Sequence, residues 1–599
     1  MIELGPTADL LAPGGGLDRA IPYYEDRVEQ RTMSAAVARA LDEERPLIVE
    51  AGTGTGKTLA YLIPALQSGK RVVVSTGTRA LQDQIARHDI PLLRTILARP
   101  FSAVVLKGVA NYVCRRRLAE AVSRGGSEAL SALVDWSEHS ETGDRSEVEW
   151  LAESAPLWTE VTTTPDARIG PRCPYFERCF VTQARRLAEK AELILVNHHL
   201  YFADRALRAA HPGARVLPEH DAVIFDEAHQ LEDVATEHFG ARVSTHTLSQ
   251  LVRDAHLALA RMPLWTGRAA DDVIHAVERA GISLFSLIRG ALIGENESRM
   301  HLPAGLFEQP DRQTAWFKLD NALEELARAA EAESEPPPDG EESEDAGARA
   351  SLNGLARRAR GMRDDLATIA EQRQRSHVYW GEVRPTGTLL SASPIEVGEL
   401  VRRHIVTSGP TPIFTSATLT AAGDFGYQRA RLGLDEANSC DELLVPSPFD
   451  YATQAMLYVP RDLPPPADDA FSAVAAQRTL ELLEITNGRA FLLFTSHRAL
   501  RDAAARLAGS RYPRLVQGDA PRATLIDKFR ATPGAILLGT SSFWEGIDVP
   551  GDALSLVVID KLPFSPHTDP LIEARMQACA EANQDPFQTI QLPAAAISL

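Results

Sequence analysis

A chain of 599 residues exceeds what one ordinary hydrophobic core can organise, so three or four domains are expected. With 44% hydrophobic and 24% charged residues, no apolar run of spanning length and no basic-then-apolar N-terminus, the composition is that of a globular protein, and neither a membrane segment nor a signal peptide is expected. The formal net charge of −19 does not exclude a nucleic-acid partner, because eight acidic residues with no Lys or Arg among them are concentrated in residues 331–345, EAESEPPPDGEESED, which reads as a solvated linker.

Five cysteines without a secretory signal point to a reducing, cytoplasmic setting and not to a disulfide framework. The N-terminal segment, with Pro13 and Gly14-Gly15-Gly16, reads as a loose lead-in. A helical pattern then runs through Met33, Val37 and Leu41 and ends before Pro46. Leu47-Ile48-Val49 reads as a buried strand, and Leu59-Ala60-Tyr61-Leu62-Ile63 as the start of a helix. Between them lies Glu50-Ala51-Gly52-Thr53-Gly54-Thr55-Gly56-Lys57-Thr58. Strand, Gly-rich turn and helix N-terminus are the parts of a phosphate-binding loop. The glycines let backbone N–H groups of Gly52, Thr53, Gly54, Thr55 and Gly56 turn towards an anion. Lys57 would reach the β- and γ-phosphates and the Thr58 hydroxyl would hold Mg²⁺. Ala51 stands where a first glycine is usual. The chain is therefore expected to bind a nucleoside triphosphate.

Arg71–Thr78 reads as a second strand ending in small hydroxyl residues, followed by a helix from Arg79. Alternating strands and helices predict an α/β fold with a parallel sheet and its ligand at the strands' C-terminal ends. The rhythm breaks between about Val104 and Asn197, a segment with three of the five cysteines. It resumes at Ala222-Val223-Ile224-Phe225-Asp226-Glu227-Ala228-His229, where both carboxylates fall at the exposed end of a buried strand. Asp226 would hold hydrated Mg²⁺, Glu227 would orient and deprotonate a water, and His229 could relay nucleotide state to a neighbouring domain. A second break, residues 235–385, is mainly helical in pattern and contains the acidic run. Phe414-Thr415-Ser416-Ala417-Thr418-Leu419 then ends another strand, and either couples hydrolysis to motion or is an ordinary strand-to-loop junction.

After about residue 425 a fresh α/β series begins, with strands expected at 489–495, 535–540 and 554–559. Ser541-Ser542-Phe543-Trp544-Glu545-Gly546-Ile547-Asp548-Val549 follows one of them, with Trp544 facing either DNA or the core. For Lys561-Leu562-Pro563-Phe564, packing and function are equally open.

These motifs, with Val196-Asn197-His198-His199-Leu200 and Phe494–Leu500 in the same order, resemble the XPD/DinG branch of superfamily 2 DNA helicases over nearly the whole chain, closest to the bacterial DinG/YoaA type without an exonuclease domain. The resemblance implies two RecA-like P-loop motor domains, the first carrying an iron–sulfur-type insertion and a helical arch insertion. Mapped onto this chain, motor domain 1 takes 1–103, 196–234 and 386–425, the cysteine-bearing insertion 104–195 and the arch 235–385. Motor domain 2 takes 426–599. It implies an ATP-driven 5′–3′ motor on single-stranded and forked DNA in repair, a cytoplasmic monomer with possible replication or repair partners. Arg27 and Gln30 would lie on the adenine side, with Glu545 and Asp548 as further nucleotide contacts. The implied DNA contacts are Thr76, Arg79 and Gln82 in the first domain and Ser496, His497, Arg498 and Trp544 in the second. The run Arg115-Arg116-Arg117 places positive charge where strand separation is expected.

The sequence departs from that family twice. Four cysteines hold the family's iron–sulfur cluster; this chain offers Cys114, Cys173 and Cys179, with Arg168 where the remaining thiolate is expected and Cys440 and Cys579 assigned to the second motor domain. A 4Fe–4S cluster with another fourth ligand, a three-iron cluster, and no cluster are all open. The second departure is the family's Gln-Gly-x-Gly-Arg-Leu-Ile-Arg motif, which does not follow Leu592–Leu599; Arg575 reads as a surface residue and no replacement. The expectation is a truncated sequence that binds ATP and DNA but unwinds poorly. The alternative is a weakly hydrolysing, nucleotide-gated single-strand-binding fragment or accessory subunit.

Overall fold

The structure, a computed structural model, describes residues 6–22, 24–97, 99–125, 127–152, 155–165, 167–210, 213–259, 268–292, 299–334, 346–436, 439–544, 547, 549 and 551–599. Contacts divide the chain into two units, Met1–Pro446 with Pro566–Pro586, and Ser447–Ser565 with Phe587–Leu599.

In the first unit, β1 (Leu47–Ala51), β2 (Val72–Thr76), β3 (Ala103–Val105), β4 (Leu193–Asn197) and β5 (Ala222–Asp226) belong to one parallel sheet. After them come β6 (Ala241–Ser244), β7 (Arg299–His301), β8 (His377–Arg384) and β9 (Gly387–Pro394), and the parallel sheet is completed by β10 (Thr411–Ser416) and β11 (Asp441–Val445). Its order is β11-β1-β10-β5-β2-β4-β3. Near-continuous Val, Ile and Leu in β1, β2 and β4 match a sheet covered on both faces. The helices Val28–Asp42 and Lys57–Gln67 pack in the apolar cluster on one face, and His198–Ala210 and Leu231–His238 in that on the other. The order matters for the site. β10 lies between β1 and β5, so the phosphate loop after β1, the Asp-Glu pair after β5 and the hydroxyl-rich end of β10 open at one edge.

Between β3 and β4 the chain forms helices Arg115–Arg124, Glu128–His139, Pro156–Val161 and Phe180–Ala188 around their own core, including Leu133, Trp158, Val161 and Phe180. Between β6 and β9 the helices Thr245–Leu259, Arg268–Leu292, Pro310–Ser334 and Ala346–Glu371 share another core. The helical expectation for 235–385 is incomplete: β6-β9-β8-β7 form an antiparallel sheet beside those helices. Val378 and Trp380 alternate along β8 and pack with Leu571 of the helix Pro570–Glu581, the strand-period signal that a helical pattern overlooks. Most of the acidic run, 335–345, lies outside the described residues.

Several other expectations are corrected. The lead-in contains helices Pro6–Leu11 and Gly16–Ala20, whose Leu11 and Leu17 are buried against the first unit's core. Cys440 and Cys579 belong to the first unit, because β11 pairs with β1 and the helix Pro570–Glu581 returns to that unit. Arg575 is 4% exposed: Nη1 pairs with Glu232 at 2.7 Å, Nη2 donates to Thr236 Oγ1 at 3.2 Å and Nε donates to the Ile395 carbonyl at 2.9 Å. The arginine run is also spent inside the unit. Arg115 pairs with Glu138 at 2.9 Å, Arg116 with Glu120 at 2.6 Å, and Arg117 with Asp254. Each carboxylate claims the charge that the sequence left free for a phosphate.

The second unit contains β12 (Ala490–Leu493), β13 (Arg514–Val516), β14 (Ile536–Gly539) and β15 (Leu556–Ile559), parallel in the order β13-β14-β12-β15. Ala490, Leu492, Ile536 and Leu538 join one apolar cluster, and Phe491, Leu493, Ala535 and Leu537 the other. This period of two puts a core on each face. Among the described residues of the chain, no helix is long and apolar enough to cross a membrane.

Candidate active site

β1 ends in the phosphate loop, where Gly54 and Gly56 have φ of +86° and +78°. These values belong to the left-handed region, which glycine enters without Cβ strain. A Cβ at Gly56 would run into the Gln30 amide. The helix Lys57–Gln67 starts immediately afterwards, so its unsatisfied N–H groups and positive end face the loop. Lys57 and Thr58 are half-buried at that end, and Thr53 is exposed. Within the loop, the Thr55 hydroxyl donates to the Gly52 carbonyl at 2.6 Å, and the Gly52 amide donates to Val445 O at 3.1 Å.

Arg27 and Gln30, expected beside the nucleotide, are placed against this loop. Arg27 Nη1 donates to the Gly54 carbonyl, and Gln30 Nε2 donates to the Gly56 carbonyl at 3.0 Å. Both brace the glycine turns from behind.

Asp226 is 2% exposed and accepts a 2.9 Å hydrogen bond from the Tyr61 hydroxyl. Burial, and then repulsion from Glu227, hold its carboxyl above the usual range, while Lys57 and Tyr61 pull it down. A carboxylate so placed gains from a cation, and the donor set of Asp226 and Thr58 fits hydrated Mg²⁺. Tyr61 lies on the same helix as Thr58, so one buried phenol links the Asp226 carboxylate to the helix that carries the Thr58 hydroxyl. The sequence presented Tyr61 only as a helix residue; a hydroxyl on the buried face four residues after Lys57 was its signal.

Glu227 adopts φ 59°, ψ 47°, a left-handed conformation that costs an ordinary residue roughly 1–2 kcal/mol. The turn sends its carboxylate to the end of β10. There the Ser416 hydroxyl donates to Glu227 Oε2 at 2.9 Å, and His229 Nδ1 lies 2.8 Å from the same hydroxyl. With the serine proton on Glu227, His229 Nδ1 carries the hydrogen. Thus Glu227, His229 and Ser416 form one network, and the end of β10 is more than a strand-to-loop junction. The second missed residue is Glu50. Its carboxylate accepts from the backbone N–H groups of Leu419 and Thr420, both at 2.6 Å, and from the Thr420 hydroxyl at 3.0 Å. A lone carboxylate in an otherwise apolar strand was its signal.

The expected DNA contacts divide. Thr76 and Gln82 are buried; Gln82 Nε2 donates to the Leu106 and Leu195 carbonyls, both at 3.0 Å, and Thr76 Oγ1 to the Thr78 carbonyl at 3.1 Å. They hold strand ends together instead of lining a groove. Arg79 begins the helix Arg79–Gln84. Ser496, His497 and Arg498 are exposed at the N-terminus of the ten-residue helix His497–Arg506, where Ser496 caps the Ala499 amide. Trp544 is half-buried and packs against the cluster containing Phe491 and Phe529. Glu545 and Asp548 lie outside the described residues.

Cys114, Cys173 and Cys179 line one cavity together with Arg168. Arg168 Nη2 donates to Thr182 Oγ1 at 2.6 Å, and its guanidinium carbon lies 5.9 Å from the Phe176 ring centroid. Burial pushes both Cys114 and Cys179 up. At Cys179 the Thr182 hydrogen bonds and the Arg168 charge outweigh burial and leave the thiol below its ordinary value. Among the described residues, no three Cys, His, Asp or Glu side chains converge as a metal-ion site. Three thiols and a guanidinium do not fit a four-thiolate cluster.

Comparison with known proteins matches residues 31–118 to the DEAD/DEAH box helicase family, 165–248 to DEAD_2 and 479–599 to the helicase C-terminal domain. The chain is 38% identical to the ATP-dependent DNA helicase YoaA of Escherichia coli, across 99% of this chain and 90% of that protein. It is 32% identical to the ATP-dependent helicase DinG of Mycobacterium tuberculosis, across 95% of this chain and 86% of that protein. Among solved structures, an XPD helicase superposes with a TM-score of 0.57 at 16% identity, covering 96% of this chain and 93% of the other. Xpd4 of S. tokodaii superposes with a TM-score of 0.55 at 13% identity, covering 96% and 91%. These two establish likeness of fold.

Proposed function

The chain belongs to the family of ATP-dependent DNA helicases that includes YoaA and DinG, and we propose that it moves 5′ to 3′ on single-stranded DNA, opening forked duplexes during DNA repair. The observation that carries this reading is the Ser416 hydroxyl shared by Glu227 and His229 at the edge where the phosphate loop also opens. It joins the groups for hydrolysis to a separate strand end, the kind of link by which a motor passes on its nucleotide state.

In this reading the loop amides and Lys57 bind the triphosphate, and the helix end adds a favourable field. Bound Mg²⁺ would neutralise charge developing on the phosphates and be held through Thr58 and Asp226. Glu227 takes a proton from the attacking water, and products are ADP and phosphate. Ser416 and His229 hold Glu227 in position. Ser496, His497 and Arg498 are the proposed contacts to DNA phosphates, supported by exposure and by the helix N-terminus they occupy. Arg79 remains part of this proposal, as does a cytoplasmic location, which the likeness to DNA helicases of bacteria supports.

The test is ATP hydrolysis with and without single-stranded DNA. Wild type is expected to be stimulated by DNA, and Glu227→Gln to bind ATP while losing turnover by at least the 10²-fold assigned to a positioned base. Equal turnover in the two proteins would refute the role of Glu227.

A further inference from the structure

We propose that Arg168 excludes an iron–sulfur cluster from the cysteine cavity and replaces it as the structural tie of the segment between β3 and β4. The proposal is independent of how the ATP site works. It rests first on what shares the cavity. Cys114, Cys173 and Cys179 are there, but the remaining polar side chains among the described lining residues are Tyr112, Arg116, Thr163 and Arg168. None of these is a carboxylate or imidazole, and no arginine ligates iron. A four-iron cluster on the three thiolates would leave one iron in need of a ligand beside a fixed positive charge.

The second observation is how Arg168 is held. Its Nη2 donates to Thr182 Oγ1 at 2.6 Å, and Thr182 lies in the first turn of the helix that Cys179 precedes. The guanidinium thus ties the loop carrying Arg168 to the N-terminal turn of the helix Phe180–Ala188, next to Cys179. The Arg168 guanidinium also faces the Phe176 ring in the turn between Cys173 and Cys179. These contacts join parts of the chain that a metal cluster would otherwise cross-link.

The third observation is that the segment has its own core. Leu130, Leu133 and Val161 are buried with Trp158 and Phe180, and Trp136 lies 6.4 Å from Trp158 between ring centroids. At its edge, Lys107 pairs with Asp83 at 2.8 Å and with Asp144 at 2.7 Å. A small domain needs a metal when it cannot bury enough apolar surface; this segment has that surface and is anchored by buried ion pairs.

The experiment compares iron and acid-labile sulfide in the full chain and in Arg168→Cys, each prepared without oxygen and reconstituted with ferrous iron and sulfide. Wild type is expected to retain no stoichiometric iron or visible cluster absorbance, and Arg168→Cys to gain both. Stoichiometric iron and sulfide in wild type would overturn the exclusion. An Arg168→Cys protein that gains neither would overturn the assignment to Arg168. A separate readout uses wild type alone: its thermal unfolding under reducing conditions is expected to be unchanged by an iron chelator, and a lowered transition would contradict a cluster-free tie.

Discussion

Glu50 and Thr420 are 370 positions apart in sequence, yet the Thr420 amide and hydroxyl both donate to the Glu50 carboxylate, at 2.6 and 3.0 Å. Glu50 sits in β1 directly before the phosphate loop, and Thr420 follows the end of β10 that carries Ser416. Adding the Leu419 amide, one carboxylate fixes the loop after β10 to the strand that bears the triphosphate site.

Replacing Glu50 with alanine therefore leaves two backbone N–H groups without their acceptor. Unfolding in urea is expected to show a loss of about 1–3 kcal/mol. Turnover should fall about tenfold, corresponding to ~1.4 kcal/mol in the barrier, as the Ser416–Glu227 contact loosens. An unchanged urea midpoint with unchanged turnover would show that the carboxylate anchors nothing.

Tyr61→Phe removes only the hydroxyl that donates to Asp226. Loss of an outer partner of a metal-binding group lowers metal affinity by about 10–100-fold. Titrating Mg²⁺ into the ATPase assay should show that higher requirement, with the KM for ATP unchanged once Mg²⁺ is saturating. A wild-type Mg²⁺ curve from the variant would refute the role of the phenol.

His238 supplies a pH dependence. Burial, and then the charge of His199, lower its pKa from 6.5 to about 4, with Arg242 adding to this and Glu237 opposing it. Its ring stacks on Phe202 with centroids 6.3 Å apart. Between pH 6.5 and 4 the unfolded chain binds a proton that the folded chain refuses, so stability is full above pH 6.5 and declines as pH falls towards 4. The decline amounts to as much as ~3 kcal/mol. Urea midpoints measured across that window should fall less for His238→Gln than for wild type; parallel curves would exclude His238 as the source.

Local chemistry made the triphosphate loop and the Asp-Glu strand end legible in the sequence. Gly54 and Gly56 are required by backbone angles within the loop itself, and Asp226 and Glu227 follow directly from a run of buried apolar residues. What was hidden depends on partners distant in sequence. Glu50 means nothing until β10 is known to lie beside β1. Gln82 resembles a groove-lining amide until the Leu106 and Leu195 carbonyls are found waiting for it. Arg117 resembles a free charge until Asp254, 137 positions later, is placed against it. Arg575 was misjudged for the same reason: its helical pattern gives no hint of Glu232, which buries and pairs it. At Trp544 the half-buried placement depends on packing against the cluster that contains Phe491 and Phe529, which no periodicity of that short segment encodes.

Strand displacement reads both proposed properties, ATP-driven motion and its 5′–3′ direction, at once. Two duplexes of identical sequence, one with a 5′ and the other with a 3′ single-stranded tail, are incubated with the protein and ATP, beside a Glu227→Gln control. Displacement of the 5′-tailed duplex alone is expected, and none by the control. Displacement from the 3′ tail, or displacement by Glu227→Gln equal to that by wild type, would contradict the proposal.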